Sequence, residues 1–304
     1  AASSQGVSAL VWDGIRRLPP ELQPSRELRL RWAYNVERIE RRYGQQRRRA
    51  AELAAAYAEA GIRTVVLKGF AVSRLYPVPE HRPCGDLDCF LCGDYERGNR
   101  VAEQVGAEVK RDYYKHSHIV FRGLTVGSRR AKRFERHLQR LLAEGPLSCI
   151  PETALLVPPP DFNALFLAKH ALSHFLTEGI SLRHLCDWAV FIDREGDAVD
   201  WTAFRKVAAE DRLLRFAEIL SDLSVRYLGV ARNPLPAGAR RPGIGQYPLR
   251  APAPERFAGR RMDEADASDR QSGARPLEIR GGVRAKLPAR RSPAVGRIPF
   301  RSQS

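Results

Sequence analysis

The chain has 304 residues, 43% of them hydrophobic, which is enough apolar surface for one large domain or two modest ones. No apolar run approaches the length needed to cross a bilayer, and residues 1–20 lack the charge, apolar core and cleavage site of a signal peptide. The five cysteines form no paired framework, which predicts reduced thiols and a cytoplasmic protein. Cys89-x-x-Cys92 has no second cysteine pair, so metal or redox chemistry is not expected there.

The positive charge is concentrated at the C-terminal end. Residues 231–304 carry a net charge of +10 out of the total of +16, together with 10 prolines and 8 glycines and no sustained periodicity. This composition is typical of low-complexity disorder, but a shifted reading frame near Arg232 in a GC-rich gene would give similar residues, and both interpretations stay open. With only Tyr247, Phe257 and Phe300 to stack on bases, the tail argues against RNA binding.

The sequence of the N-terminal part predicts helices followed by a first strand. Ser25 to Ala60 has apolar residues at three- and four-residue steps, as in one long helix or two stacked helices, and Gly61 supplies the stop. Thr64-Val65-Val66-Leu67 is a short apolar run suited to a buried strand. This strand ends at Lys68-Gly69, and a short helical piece, Ala71 to Tyr76, follows.

The next predicted strand carries two acidic residues at alternate positions. In Gly85-Asp86-Leu87-Asp88, a strand places both carboxylates on one face while Leu87 points into the core. Two acids side by side repel each other unless a cation lies between them, and oxygen ligands at this spacing suit Mg²⁺ with the phosphates of a substrate. The triplet alone also occurs in solvated turns, so its context decides between the two interpretations.

After this strand the sequence predicts a small mixed sheet and then a purely helical region. Asp94 caps a helix that runs to Val105, and residues 131–144 are helical again. Three strands are expected between them: Glu108 to Tyr114, His116 to Phe121 and Leu124 to Ser128. The segment Pro151 to Pro160 marks a domain boundary. Three helices are expected beyond it: Phe162 to Leu176, Ile180 to Arg194 and Trp201 to Leu228.

A resemblance to a known family agrees with this organisation. The order of strand, glycine turn, short helix, loop with Arg82 and D-x-D strand, written LKG…LYP…R…GDLD, resembles the bacterial family of uncharacterised nucleotidyltransferases, which belongs to the DNA polymerase β-like superfamily. The likeness covers roughly Leu53 to Leu228 and includes KHALSHFLTEGISLRHLCDWAVFI. It implies an α+β fold with four parts: N-terminal helices over 1–60, a small mixed-sheet nucleotidyltransferase core over 61–150, a helical domain over 151–230 and the tail over 231–304.

The resemblance also implies a function and a set of site residues. The family would transfer a nucleoside monophosphate from a nucleoside triphosphate (NTP) to an unidentified acceptor hydroxyl, with Mg²⁺ stabilising the attacking and leaving oxygens. Asp86 and Asp88 would hold the metal. Gly69 would let the backbone approach the phosphates, and Lys68 and Arg82 would bind the triphosphate. Lys68 fits a solvated strand end equally well.

The sequence departs from the superfamily pattern at the third carboxylate. In the segment GLTVGSRR, Gly127 lies at or near the place where the superfamily has an acid, and Glu135 is too far along the chain. A missing acid leaves the second metal ion and the base for the acceptor hydroxyl in doubt. The alternative function is therefore a catalytically impaired module of the same fold that binds a nucleotide or another protein.

Two histidines also have the spacing of metal ligands. His170 and His174 lie at i and i+4 on one helix face, so they could bind a metal if a third ligand came from elsewhere, or they could line the cleft. Arg183, His184 and Asp187 on the next helix could belong to the same wall of that cleft.

Overall fold

The computed structural model describes residues 2–92, 95–111, 116–122, 124–129, 133–177 and 179–236. Its elements confirm an α+β fold with one small mixed sheet. The helices are α1 Ser8–Ile15, α2 Arg26–Glu59, α3 Phe70–Ser73, α4 Tyr95–Gln104, α5 Arg133–Glu144, α6 Pro160–Thr177, α7 Leu182–Glu195, α8 Trp201–Glu210 and α9 Leu214–Leu228. The strands are β1 Thr64–Val66, β2 Leu87–Phe90, β3 Glu108–Arg111, β4 His116–Phe121, β5 Leu124–Arg129, β6 Ser148–Cys149 and β7 Leu155–Val157. In the described ranges, no helix combines the length and the apolar character needed to cross a membrane.

The predicted N-terminal helix is one continuous helix, α2, rather than two stacked helices. The Ser25 hydroxyl accepts a hydrogen bond from the Leu28 amide at 3.3 Å, which caps the N-terminus, and Gly61, with φ of +72°, follows its C-terminal end. Leu53 and Tyr57 are buried in a core that α2 shares with the sheet. Helix α1, which lies within the predicted N-terminal helical segment although no bounds were given for it, packs against α2.

The sheet has the strand order β3-β4-β5-β2-β1-β7-β6. The structure confirms the strands predicted at β1 to β5. The end of the predicted strand Glu108 to Tyr114 lies outside the described residues, as does Asp94, the predicted cap of α4. Strands β6 and β7 were not predicted. β7 lies within the Pro151 to Pro160 segment that was interpreted as a boundary, and it pairs in parallel with β1, with Leu155 opposite Thr64. This segment therefore adds a strand to the sheet.

Helices α6 to α9 form the expected helical region around the buried side chain of Trp188. Its Nε1 donates a hydrogen bond to Ser221 Oγ at 3.0 Å, and its ring lies 6.3 Å from that of Phe204. The prediction of one helix over Trp201 to Leu228 is wrong, because the chain breaks between α8 and α9, where Arg212 has φ of +57°. The break lets both helices contribute to one core.

The packed region continues past residue 230, where the sequence pattern placed the start of the tail. Leu235 is fully buried in the same core as Trp188, and Asn233 Nδ2 donates to Asp222 Oδ1 at 2.6 Å. The helical region therefore extends to at least Leu235. The described residues belong to one compact unit. The tail from residue 237 lies outside the described residues, and with it the prediction of disorder or a shifted frame.

Candidate functional site

Lys68 and Gly69 lie just after β1, where the chain leaves the sheet. Gly69 has φ of +61° and ψ of −111°, a backbone conformation that residues with a Cβ rarely adopt, and the single-turn helix α3 begins at the next residue. The amides of Val72 and Ser73 donate to the Gly69 carbonyl at 3.2 and 2.9 Å, so these amides serve the turn itself. The geometry of the turn therefore requires glycine at position 69.

The two acids of the D-x-D motif converge on the ammonium group of Lys68. Asp88 lies in β2 and Asp86 lies just before it. Lys68 Nζ is 2.6 Å from Asp88 Oδ2 and 3.7 Å from Asp86 Oδ1. The side chain of Asp88 is 9% exposed and that of Asp86 is 51% exposed. The two carboxylates thus share one cation position, where two negative charges face one positive charge.

Arg82, in the loop before β2, binds a carboxylate from the helical region. Its Nε and Nη2 donate to Asp187 Oδ1 and Oδ2 at 2.8 and 2.7 Å, and the Tyr76 hydroxyl donates to Asp187 Oδ1 at 2.7 Å. Burial, together with the charge of Asp187, raises the pKa of Tyr76, so the hydroxyl stays protonated and donates. Arg82 Nη1 makes longer contacts, 3.4 Å to the Pro83 carbonyl and 3.6 Å to Cys84 Sγ.

One small cleft contains groups from the sheet and from the helices. Its lining residues are Lys68, Gly69, Arg82, Gly85 and Asp86 on the sheet side, and His170, Arg183, His184 and Asp187 on the helix side. The cavity volume is about 20 Å³, which is room for about one water molecule or ion. This enclosed space is much smaller than a nucleotide.

The helix side of the cleft brings three imidazoles and a guanidinium together. The ring centroids of His170, His174 and His184 lie between 4.5 and 5.5 Å apart. Burial, followed by the nearby His174, lowers the pKa of His184 to about 4, so its ring is neutral at pH 7. Arg183 Nε is buried and has no hydrogen-bond partner within the described part of the chain.

Position 127 lies directly beside Asp88. β5 runs parallel to β2 with Gly127 as the register partner of Asp88, so a side chain at 127 would share the face of the sheet that carries this carboxylate. Glu135 belongs to α5. Asp187 also lines the cleft, but both of its oxygens are bonded to Arg82. Among the described residues that line the cleft, there is no third carboxylate that is free of an ion pair.

The structure gives no support for thiol chemistry at Cys89-x-x-Cys92. Both cysteines are free, and Cys89 is fully buried in β2. Burial, with a smaller contribution from the charge of Asp88, raises the pKa of the Cys89 thiol to about 12. The thiolate is the nucleophilic form of cysteine, so this buried thiol is a poor nucleophile.

A mixed sheet with two acids and a lysine beside a glycine turn, faced by a helical wall, is the arrangement expected of the nucleotidyltransferase class. The chain belongs to the family described as "Uncharacterised nucleotidyltransferase", whose model matches residues 1–229. The match spans α1 to α9 and ends just before the basic tail. No match was found among curated proteins, and none among solved structures.

The residues predicted for the site lie together: Lys68, Gly69, Arg82, Asp86 and Asp88. The interpretation of Lys68 as a solvated strand end is wrong, since its side chain is 18% exposed and contacts both carboxylates. The fork of Arg82, expected on phosphate, binds Asp187 here. Arg183 and His184, which the sequence associates with the cleft wall beside Asp187, line the cleft. Their signal was a spacing of three and four residues from Asp187 on α7, which places all three on one helix face.

Proposed function

We propose that this protein is a Mg²⁺-dependent nucleotidyltransferase that moves a nucleoside monophosphate from an NTP to the hydroxyl group of an acceptor. The observation that carries the proposal is the unbalanced charge of the D-x-D motif. Asp86 and Asp88 together have two negative charges and share the single positive charge of Lys68. Two convergent carboxylates with an excess negative charge favour the binding of a divalent cation.

The chemistry of this donor set fits Mg²⁺. Mg²⁺ prefers carboxylate oxygens and is usually bound through one or two of them together with substrate phosphates. The ion would neutralise charge that develops on the attacking and leaving oxygens. With the carboxylates holding an ion, the Lys68 ammonium would be free to bind a phosphate oxygen, and Gly69 would allow the backbone to approach the same phosphates.

Two guanidinium groups would bind the rest of the triphosphate. Arg183 has a buried Nε for which the described residues supply no partner, and Arg82 has an Nη1 group with long contacts while Asp187 fixes its orientation. A guanidinium binds phosphate through two parallel hydrogen bonds, which makes it more selective for this group than an ammonium. We assign both arginines to phosphate binding in a cleft that has opened.

A second function is favoured by one observation, the glycine at position 127. Because Gly127 lies beside Asp88 and Asp187 is paired with Arg82, the described residues that line the cleft offer no third carboxylate to act as a base for the acceptor hydroxyl. A protein with this deficiency would bind the nucleotide without efficient turnover. It would then act as a nucleotide-binding or protein-interaction module of the same fold.

Pyrophosphate release from labelled NTPs distinguishes these functions. The purified protein is incubated with each NTP and Mg²⁺, with a desalted cell extract as the source of acceptors. We expect release from at least one NTP, abolished by Asp88→Ala and unchanged by Asp193→Ala, which removes an exposed acid of α7. NTP binding without release would support the impaired module, and neither binding nor release with any NTP would contradict both functions.

The proposed partners are an NTP and an unidentified acceptor, and the proposed location is the cytoplasm. All five cysteines are free, which is typical of proteins in a reducing compartment. The low aromatic content of the tail argues against a nucleic acid as acceptor or partner.

A further inference from the structure

Three histidines from two helices converge on the helix side of the cleft. His170 and His174 lie one turn apart on α6, and His184 lies in the first turn of α7. One ring nitrogen of each histidine lies within 4.8 Å of the corresponding nitrogens of the other two. These three residues, called the histidine cluster below, are distinct from the carboxylates of the D-x-D motif.

The ring of His184 is fixed through one nitrogen, and its other nitrogen is buried without a hydrogen-bond partner in the described part of the chain. Its Nδ1 accepts a hydrogen bond from the Ser181 amide at 3.3 Å and lies 3.0 Å from Ser181 Oγ, while its Nε2 is buried and has no hydrogen-bond partner among the residues that the structure describes. The residue is only 8% exposed, and a buried polar atom without a partner costs free energy. With Nδ1 accepting from the Ser181 amide, the proton of the neutral ring lies on Nε2. A metal at Nε2 would require this proton to move to Nδ1, which would then donate to Ser181 Oγ in place of accepting from the amide, so that the second nitrogen is fixed by a hydrogen bond as is usual for a metal-binding histidine.

The spacing of the ring nitrogens suits a tetrahedral ion after a small adjustment. Each imidazole nitrogen in a zinc site lies about 2.0–2.1 Å from the metal, so two such nitrogens are about 3.4 Å apart. Because the three nitrogens already lie within 4.8 Å of one another, each has to move by at most about 0.8 Å towards their common centre. Rotation about the side-chain bonds can supply this movement.

We propose that His170, His174 and His184 form a binding site for a divalent cation of the zinc class. Three imidazoles select Zn²⁺, Co²⁺ or Ni²⁺ over Mg²⁺, which takes oxygen ligands, so this site and the carboxylate pair bind different metals. Three protein ligands leave a fourth coordination position open. His170 and His184 line the same cleft as Asp86, which gives a water molecule or an oxygen of a cleft ligand access to that position.

Cobalt binding tests the proposal without any assay of activity. The protein is stripped of metal with a chelator and titrated with Co²⁺, whose visible absorption reports four-coordinate nitrogen and oxygen ligation. We expect one Co²⁺ per chain, displaced by Zn²⁺ and not by excess Mg²⁺. His170→Ala, His174→Ala and His184→Ala should each weaken Co²⁺ binding by at least about 100-fold. Loss of a residue that only hydrogen-bonds a metal ligand already weakens metal binding by up to about this factor. His137→Ala, which changes a partly exposed histidine of α5, should bind as the unaltered chain does.

His174→Ala is the decisive variant because His174 is partly exposed and its loss should leave the fold intact, as checked by circular dichroism. Unchanged Co²⁺ affinity in folded His174→Ala and His170→Ala would overturn the proposal, as would the absence of a four-coordinate Co²⁺ spectrum in the unaltered chain. Asp88→Ala should retain Co²⁺ binding, so the histidine cluster and the nucleotidyltransferase proposal fail or succeed separately.

Discussion

Two groups of acidic and basic side chains meet at one cleft, and they differ in how completely their charges are balanced. The open cluster consists of Lys68, Asp86 and Asp88. The closed cluster consists of Tyr76, Arg82 and Asp187. In the closed cluster the charges cancel and both carboxylate oxygens are bonded, whereas the open cluster has one negative charge in excess.

This difference separates the structural role of the contacts made by Asp187 from the chemical role of the open cluster. The side chains of Arg82 and Asp187 are 6% and 8% exposed, and a buried pair is tolerated only when its hydrogen bonds are satisfied. Asp86 is 51% exposed, so its charge is accessible to a ligand. Substitution of Asp187 or Tyr76 should therefore reduce stability, and substitution of the exposed Asp86 should reduce ligand binding and leave stability nearly unchanged.

The largest effect is expected from Asp187→Asn. It leaves the Arg82 guanidinium buried without its counter-charge, which should lower the free energy of unfolding by about 3–5 kcal/mol. Asp86→Asn is the control, because Asp86 is 51% exposed and Lys68 keeps its shorter contact with Asp88, so we expect a change of less than about 1 kcal/mol. Urea unfolding followed by circular dichroism measures both. Equal losses in the two variants would remove the distinction between the clusters.

Tyr76→Phe should have the next largest effect on stability. It keeps the ring and removes one hydrogen bond to a charged acceptor, Asp187, at a cost of about 1.5–3 kcal/mol. Tyr43→Phe removes a neutral hydrogen bond to Ser73 Oγ and should cost only about 0.5–1.5 kcal/mol. The same unfolding measurement compares them. A cost for Tyr76→Phe no larger than that for Tyr43→Phe would show that the charge of Asp187 is already balanced without the hydroxyl.

Gly127→Glu changes the open cluster by adding a carboxylate beside Asp88. A carboxylate at this place would supply a further metal ligand and a base for the acceptor hydroxyl. A well-positioned base raises a reaction rate by about 100-fold or more, so we expect turnover to rise by at least about tenfold. NTP affinity should change little. Pyrophosphate release and calorimetric binding are measured on the same preparation. If the unaltered protein is highly active and the substitution lowers its activity, the third acid comes from elsewhere in the chain.

The smallest effect is expected from pH at His81, the residue before Arg82. Burial alone would lower the pKa of His81, but hydrogen bonds to Asp13 and Glu40 outweigh it and raise the pKa above 6.5. This stabilisation is fully present below pH 6.5, the pKa in the unfolded chain, and is lost as the pH rises through the folded pKa. The melting temperature of His81→Gln should thus fall further below that of the unaltered chain at pH 6 than at pH 9. A constant difference across this range would contradict the account.

Local patterns in the sequence predicted much of the fold. The long helix α2 follows from its apolar spacing, its Ser25 cap and Gly61, and strands β3 to β5 follow from short alternating runs with turn residues between them. The D-x-D motif also predicted a cation position, because two acids at alternate strand positions have to share one. Each of these signals lies within a few residues of the element that it specifies.

The features that were missed depend on partners far away in the chain. β7 is a three-residue strand whose partner β1 lies about ninety residues earlier, and Arg82 binds Asp187 across 105 residues. His184 completes the histidine cluster only because α6 and α7 pack together. The break at Arg212 has no glycine or proline to announce it, since arginine itself adopts the positive φ. Such contacts and conformations are set by tertiary packing rather than by local propensity.

The central claim is that the open cluster binds a metal together with a nucleotide. Isothermal titration calorimetry of NTP binding, with and without Mg²⁺, for the unaltered chain and for Asp88→Ala tests it most directly. The account predicts that the unaltered chain with Mg²⁺ binds at least about tenfold more tightly than the other three combinations, because Mg²⁺ is held jointly by the carboxylates and the phosphates. Identical binding in all four combinations would show that Asp86 and Asp88 do not form a metal site.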